Sequence, residues 1–303
     1  MAAIKKVAVL GASGNLGPHV INGLLEAGFE VTAITRLTSQ WTFPEGVSVR
    51  RVDITSKEAI EGALQDHDAL VSTISPAALG HQRTIIDAAV AAKIRRFIPS
   101  EFGVDTRRTE EKALGWIVKN KVNSTDYLDE VARKNGWFTW TGLAVGLFFD
   151  WGIKSEVVLG INAKDKTATI IDSGDKPYAA TNVSFIAETV AAILKKPEQT
   201  ANKYLSVFSF VTTQNEVLKV FEEESGSKFQ ITHVKGSDLI QAANESVAKG
   251  DYPNSLIPYV QYTFLADESG DPVDISKSDG NLLGVKDKLT LRESIKKELS
   301  ALQ

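Results

Sequence analysis

The stretch Gly11-Ala-Ser-Gly-Asn-Leu-Gly17, set directly after the apolar run 6–10, constrains this chain more than any other feature. Three glycines at G-x-x-G-x-x-G spacing are a weak pattern on their own. Here they follow a run suited to a strand buried on both faces, and Val20, Ile21, Leu24 and Leu25 then fall at helical spacing up to Gly28. A diphosphate needs backbone N–H donors at close range and the positive end of a helix dipole, and side chains in the turn would block that approach. Gly11 then makes the turn, Gly14 lets the diphosphate close in, and Gly17 lets the helix pack on the sheet. Ser13 and Asn15 can donate to phosphate. The other reading is a βα turn that only needs positive φ.

The same alternation continues. Apolar runs at 30–36, 47–54, 69–74 and 96–99 read as strands, and the segments 55–64 and 81–93 between them read as helices. Thr55-x-x-Glu58 reads as a capping box. A long helical stretch near 111–135 and a strand at 138–143 extend the series. The fold class expected is therefore α/β, a Rossmann-type doubly wound parallel sheet with right-handed crossovers. After Asp150 the rhythm changes. Strands are expected at 167–171 and 204–210, and helices at 183–195, 214–224 (capped by Thr213 and Glu216), 237–249 and 290–302. Longer loops there hold Pro177, Pro197, Pro253, Pro258 and Pro272. The expectation is a dinucleotide-binding domain over 1–153 and a smaller α/β substrate lobe over 154–303, some of whose segments return to the first sheet. A chain of 303 residues is long enough for this, burying about 75% of its unfolded surface.

The end of the second strand separates the two nicotinamide cofactors. An NAD site places an acid there for the ribose 2′-hydroxyl. This chain carries Arg36, with no acid until Glu45. A cation suits a 2′-phosphate, and one charge-assisted bond is worth about 1.5–3 kcal/mol, so NADP(H) is expected. A solvated arginine at a strand end is the plainer reading.

Several chemistries are excluded or disfavoured. There is no cysteine, so no thiolate nucleophile, disulfide or Cys-bound metal. The four histidines (His19, His67, His81, His233) form no H-x-x-x-H pair, and no metal is expected. None of the six tyrosines is followed four residues later by lysine, and no Gly-x-Ser-x-Gly elbow occurs. A net charge of −4 without a basic tract argues against nucleic acid. No apolar run reaches membrane-spanning length and no signal peptide is visible, so a cytoplasmic protein with no membrane partner is expected. A monomer or homodimer is expected.

Gly11–Gly17, Arg36, Ser72-Thr-Ile-Ser75, Gln82, Phe97-Ile-Pro-Ser-Glu-Phe-Gly103 and Lys119-Asn-Lys121-Val122 together resemble the isoflavone reductase-like, or NmrA-like, branch of the atypical short-chain dehydrogenases. That branch includes the pinoresinol–lariciresinol and phenylcoumaran benzylic ether reductases. The likeness runs through most of the first 150 residues and more loosely to about 235, and Phe97–Gly103 is its most specific piece. It implies that Gly11, Ser13, Gly14, Asn15, Leu16 and Arg36 bind the diphosphate and 2′-phosphate of NADPH. It implies that Thr73, Ser75, Gln82 and Phe102 flank ribose and nicotinamide, and that Lys119 is the catalytic lysine, with Lys121 the neighbouring alternative. The substrate is then a small, aromatic or conjugated molecule held between the lobes. The segment Asn123–Gly136 is longer than in the plant reductases and closer to fungal NmrA-like members. The loop 37–44 holds no clear match to a second phosphate-gripping cation, and the substrate lobe has little to match.

Some members of this family bind NAD(P) and regulate partners without turnover, which is the alternative function. A lysine with an ordinary pKa of about 10.4 is protonated at pH 7 and can serve directly as acid or electrophile. Acting as base would need a drop of about 3 units, or about 4 kcal/mol. Phe148, Phe149 and Trp151 follow Gly142-x-x-x-Gly146 and either stack on a planar substrate or pack between lobes.

Overall fold

The computed structural model describes residues 3–109 and 114–301. Seven parallel strands form the main sheet: β1 (Lys6–Leu10), β2 (Glu30–Arg36), β3 (Ser48–Val52), β4 (Ala69–Ser72), β5 (Arg96–Ile98), β6 (Thr139–Ala144) and β11 (Lys203–Ser206). Their order is β11-β6-β5-β4-β1-β2-β3. The order reverses between β1 and β4, and sheets of this kind bind ligands beside the C-terminal ends of the strands at such a point.

Strand β1 shows why the sheet is covered on both sides. Val7 and Val9 enter one core with Val20, Ile21 and Leu24 of helix α1 (Gly17–Glu26) and with Ile186, Val190 and Ile193 of helix Val183–Lys195. Ala8 and Leu10 enter the other core with Ile60 and Leu64 of α2 (Lys57–Leu64), Ile85 and Ile86 of α3 (Gln82–Ala91) and Leu128 of α4 (Trp116–Lys134). Alternate residues of a strand point to opposite faces, so an unbroken apolar run serves both cores.

Two small sheets follow: β7 (Leu147–Phe148), β10 (Tyr178–Thr181) and β12 (Phe210–Thr212); and β8 (Ile161–Asn162), β9 (Thr167–Ile171) and β13 (Gln230–Val234). Strand β11 joins the large sheet and helix Val183–Lys195 packs on one face of it, although both come after residue 153.

Three local expectations change. Thr55 does not cap α2: Ser56 is the N-cap and accepts from the Ala59 amide at 3.1 Å, while Thr55 turns back to Asp53. The run 204–210 is two strands, since the chain leaves β6 after Ser206 and pairs antiparallel with β10 from Phe210. Pro253 and Pro258 lie inside a helix, Tyr252–Leu265, and Pro197 opens the short helix Pro197–Thr200, so none of the three is in a loop. Pro253 sits in the first turn, where no N–H is needed. Among the described residues no helix is long and apolar enough to cross a membrane.

Candidate active site

The glycine turn is built against β2 and β4. The Gly11 and Ala12 amides both donate to the Ile34 carbonyl, and the Gly14 amide donates to Gly11. Gly11 has φ +85°, and a Cβ there would lie 2.7 Å from the Thr73 backbone. A Cβ on Gly17 would lie 2.5 Å from the Ala12 carbonyl, so only glycine lets α1 start this close to the strand. Gly14 and Asn15 are exposed. Helix α1 opens at Leu16 with no side-chain cap and no acid in its first turn, which leaves its positive end available to an anion. These features fit a diphosphate.

The residues implied for this site divide by placement. Ser13 Oγ is hydrogen-bonded to Thr35 Oγ1 at 2.8 Å, which joins the turn to the end of β2. Leu16 buries its side chain in the core, so only its backbone can meet a ligand. Thr73 is buried and donates its hydroxyl to the Leu10 carbonyl. Ser75 is exposed at the start of the 3-10 turn Pro76–His81. Gln82 is buried and accepts from Ser72 Oγ at 3.1 Å; it braces the end of β4 from within. Phe102 is half-buried against the α1 core.

Arg36 is exposed at the last position of β2. Beside it on β3, Arg51 pairs in register with Thr35, and its Nε donates to the Ser39 carbonyl at 3.1 Å. The loop after β2 thus has a cation against it, contributed by the next strand. Neighbouring Arg50 instead caps the carbonyls of Gly62 and Ala63 at the end of α2.

The turn after β5 carries the most unusual chemistry. Ser100 Oγ donates to the Ile74 carbonyl at 2.8 Å, tying the ends of β5 and β4 together. Glu101 is wholly buried, and its Oε2 accepts from Tyr204 (2.6 Å) and Thr106 (2.8 Å). Lys121 of α4 donates its Nζ to the Glu101 carbonyl at 2.5 Å. Burial pushes the Glu101 carboxyl up and the Lys121 amine down, and the charge of each opposes the other's shift. Burial, reinforced by Glu101, holds the Tyr204 hydroxyl well above its ordinary value.

Lys119 is not part of this group. It is exposed, and residues two apart on a helix point to different sides. The inward lysine is Lys121. The missed partners, Glu101 and Tyr204, are distant in sequence, and only the charged residue within an otherwise apolar strand-end turn signals them. Phe149 is fully buried and meets Phe210 edge-on at 4.9 Å, so it is core; Phe148 and Trp151 are half-buried.

Comparison with known proteins shows the family and the fold. Residues 3–251 match the NmrA-like family. The chain is 32% identical over 284 residues to oxidoreductase aprR of Aspergillus flavus, covering 92% of this chain and 94% of that protein. It is 31% identical to oxidoreductase poxI of Penicillium oxalicum, covering 79% and 76%. In fold it is similar to leucoanthocyanidin reductase of Vitis vinifera, solved as a binary complex with NADPH, with a TM-score of 0.79 at 20% identity over 97% of this chain and 99% of that one. The chain belongs to the NmrA-like family.

Proposed function

We propose that this chain reduces a small aromatic or conjugated molecule at the C-terminal edge of its large sheet, with Lys121 meeting the anion that develops on the acceptor. It is an NADPH-dependent reductase, a reading supported by the oxidoreductase names of its fungal relatives, by the NADPH complex of the Vitis reductase and by the glycine turn. When bound, NADPH supplies the hydride. The uncapped start of α1, the Gly11–Gly17 turn and the exposed guanidiniums of Arg36 and Arg51 would hold its phosphates.

The observation that carries the catalytic role is the seat of the Lys121 Nζ on the Glu101 carbonyl. Gly11 packs on Thr73, Ser100 bonds to Ile74, and Glu101 follows Ser100, so the lysine stands on the same edge as the glycine turn. Lys121 is half-buried, and an ammonium partly withdrawn from water there stabilises negative charge more than it would in open solvent.

NADPH oxidation against a panel of enones, quinones and lignan-like ethers tests this. Lys121→Ala is expected to lose at least about a hundredfold in rate, on the scale of one positioned acid, while Lys119→Ala keeps wild-type turnover. Equal rates for the two variants would remove Lys121 from the chemistry. NADPH binding with no oxidation of any acceptor would favour the non-catalytic reading.

A further inference from the structure

Glu101 is the most heavily invested side chain near the proposed acid. Its exposure is 0%, it lies in the turn that ends β5, and its Oε2 collects hydroxyls from Tyr204 and Thr106. Its other oxygen, Oε1, is buried with no partner among the described residues. A buried carboxylate oxygen without a donor is costly, and sites that keep one tend to use it. The charge that acts most strongly on this carboxyl is that of Lys121, whose amine hangs from the same residue's carbonyl. Glu101 therefore addresses the lysine twice, once by hydrogen bond and once by charge.

The surroundings hold the carboxylate in place. Tyr204 OH reaches both Oε2 and, at 3.2 Å, the Val104 carbonyl. Arg107 covers the Tyr204 ring at 4.1 Å and pairs with Asp105 at 3.0 Å, so Asp105, the other acid facing Glu101, has its own cation. A lysine drawn partly out of water sheds its proton more readily unless an opposite charge is held close.

We propose that Glu101 is the positioning residue for Lys121: its carbonyl fixes the amine at the sheet edge, and its buried carboxylate, oriented by Tyr204 and Thr106, keeps that amine an ammonium. This rests on reading Lys121 as the proton-bearing group.

The test reads the lysine directly. In protein labelled with [ε-13C]lysine, the Lys121 resonance, assigned by its loss in Lys121→Met, is titrated against pH. Glu101→Gln keeps an acceptor for the two hydroxyls and removes only the charge. Its Lys121 midpoint is expected to fall by about one unit, a tenfold loss of proton affinity. Tyr204→Phe, which keeps the carboxylate but frees one of its hydroxyl bonds, is expected to lower the midpoint by less. An unmoved midpoint in these folded variants overturns the role given to Glu101, whatever NADPH oxidation by Lys121→Ala shows. Loss of that oxidation bears only on the proposed function.

Discussion

Gly11, Gly14 and Gly17 share a spacing but meet different surroundings. Alanine at Gly11 would combine a left-handed backbone with a Cβ 2.7 Å from Thr73, so Gly11→Ala is expected to cost about 2 kcal/mol or more of stability as well as cofactor affinity. At Gly14 the nearest atom to an added Cβ is the Gly11 carbonyl at 3.2 Å, and the position is exposed. Gly14→Ala should keep its melting temperature within a few degrees yet weaken NADPH binding at least about tenfold, because the methyl stands where the diphosphate approaches. Thermal melts and fluorescence titration on both variants check this contrast. The glycines were legible because backbone chemistry demands them in a contiguous string. The choice between Lys119 and Lys121 was not, because the string Lys119-Asn-Lys121 leaves open which one turns inward, and the turn holding Glu101 lies on another element.

Among the elements, β5 depends on a cation that has no counter-charge in contact among the described residues. Arg96 is buried with 1% exposure, and its guanidinium donates to Thr139 (3.0 Å), Thr141 (2.9 Å), Thr200 (2.8 Å) and the Pro197 carbonyl. It thereby links β5, β6 and the short helix Pro197–Thr200 that precedes β11. Arg96→Ala would leave those acceptors unpaired around a cavity, and a loss of about 3–5 kcal/mol is expected from the urea midpoint. A second tie lies at the helix Tyr252–Leu265, where the Lys176 amine donates to the Thr263 carbonyl at 3.1 Å. Burial outweighs nearby Asp271, Asp267 and Asp172 and lowers the Lys176 amine to about 8. Between about 8 and the ordinary 10.5 the unfolded chain binds more protons than the folded one, so stability rises with pH in that window. Lys176→Met should lack this rise, so the gap between the two proteins' urea midpoints should widen in favour of the wild type as pH climbs through that window. Strands and helices up to β6 were legible from alternating apolar runs. The helix 252–265 was hidden by Pro253 and Pro258, which read as loop signals in isolation, and the break between β11 and β12 was hidden because both halves of 204–210 are strand-like.

At the scale of the whole molecule, the parallel sheet was foreseeable from the strand–helix rhythm, while the place of β11 beside β6 was only anticipated as some later segment returning. Pairing across such a distance depends on what each strand edge has left unpaired, which no local pattern records. The same limit applies to the phosphate end of the site. Arg36 was visible at the end of β2, but Arg51 comes beside the following loop only through the β2–β3 register. The fold places these cations, the glycine turn and the Glu101–Lys121 pair along one edge of the sheet. That arrangement is useful only if the edge takes the phosphorylated dinucleotide. The most direct test is calorimetric titration of the wild-type chain, Arg36→Ala and Arg51→Ala with NADPH and with NADH. The wild type should bind NADPH at least about tenfold more tightly than NADH, and Arg36→Ala should lose about that factor for NADPH alone, with a smaller loss in Arg51→Ala. Equal affinity for the two dinucleotides, or uptake of neither, would contradict the account.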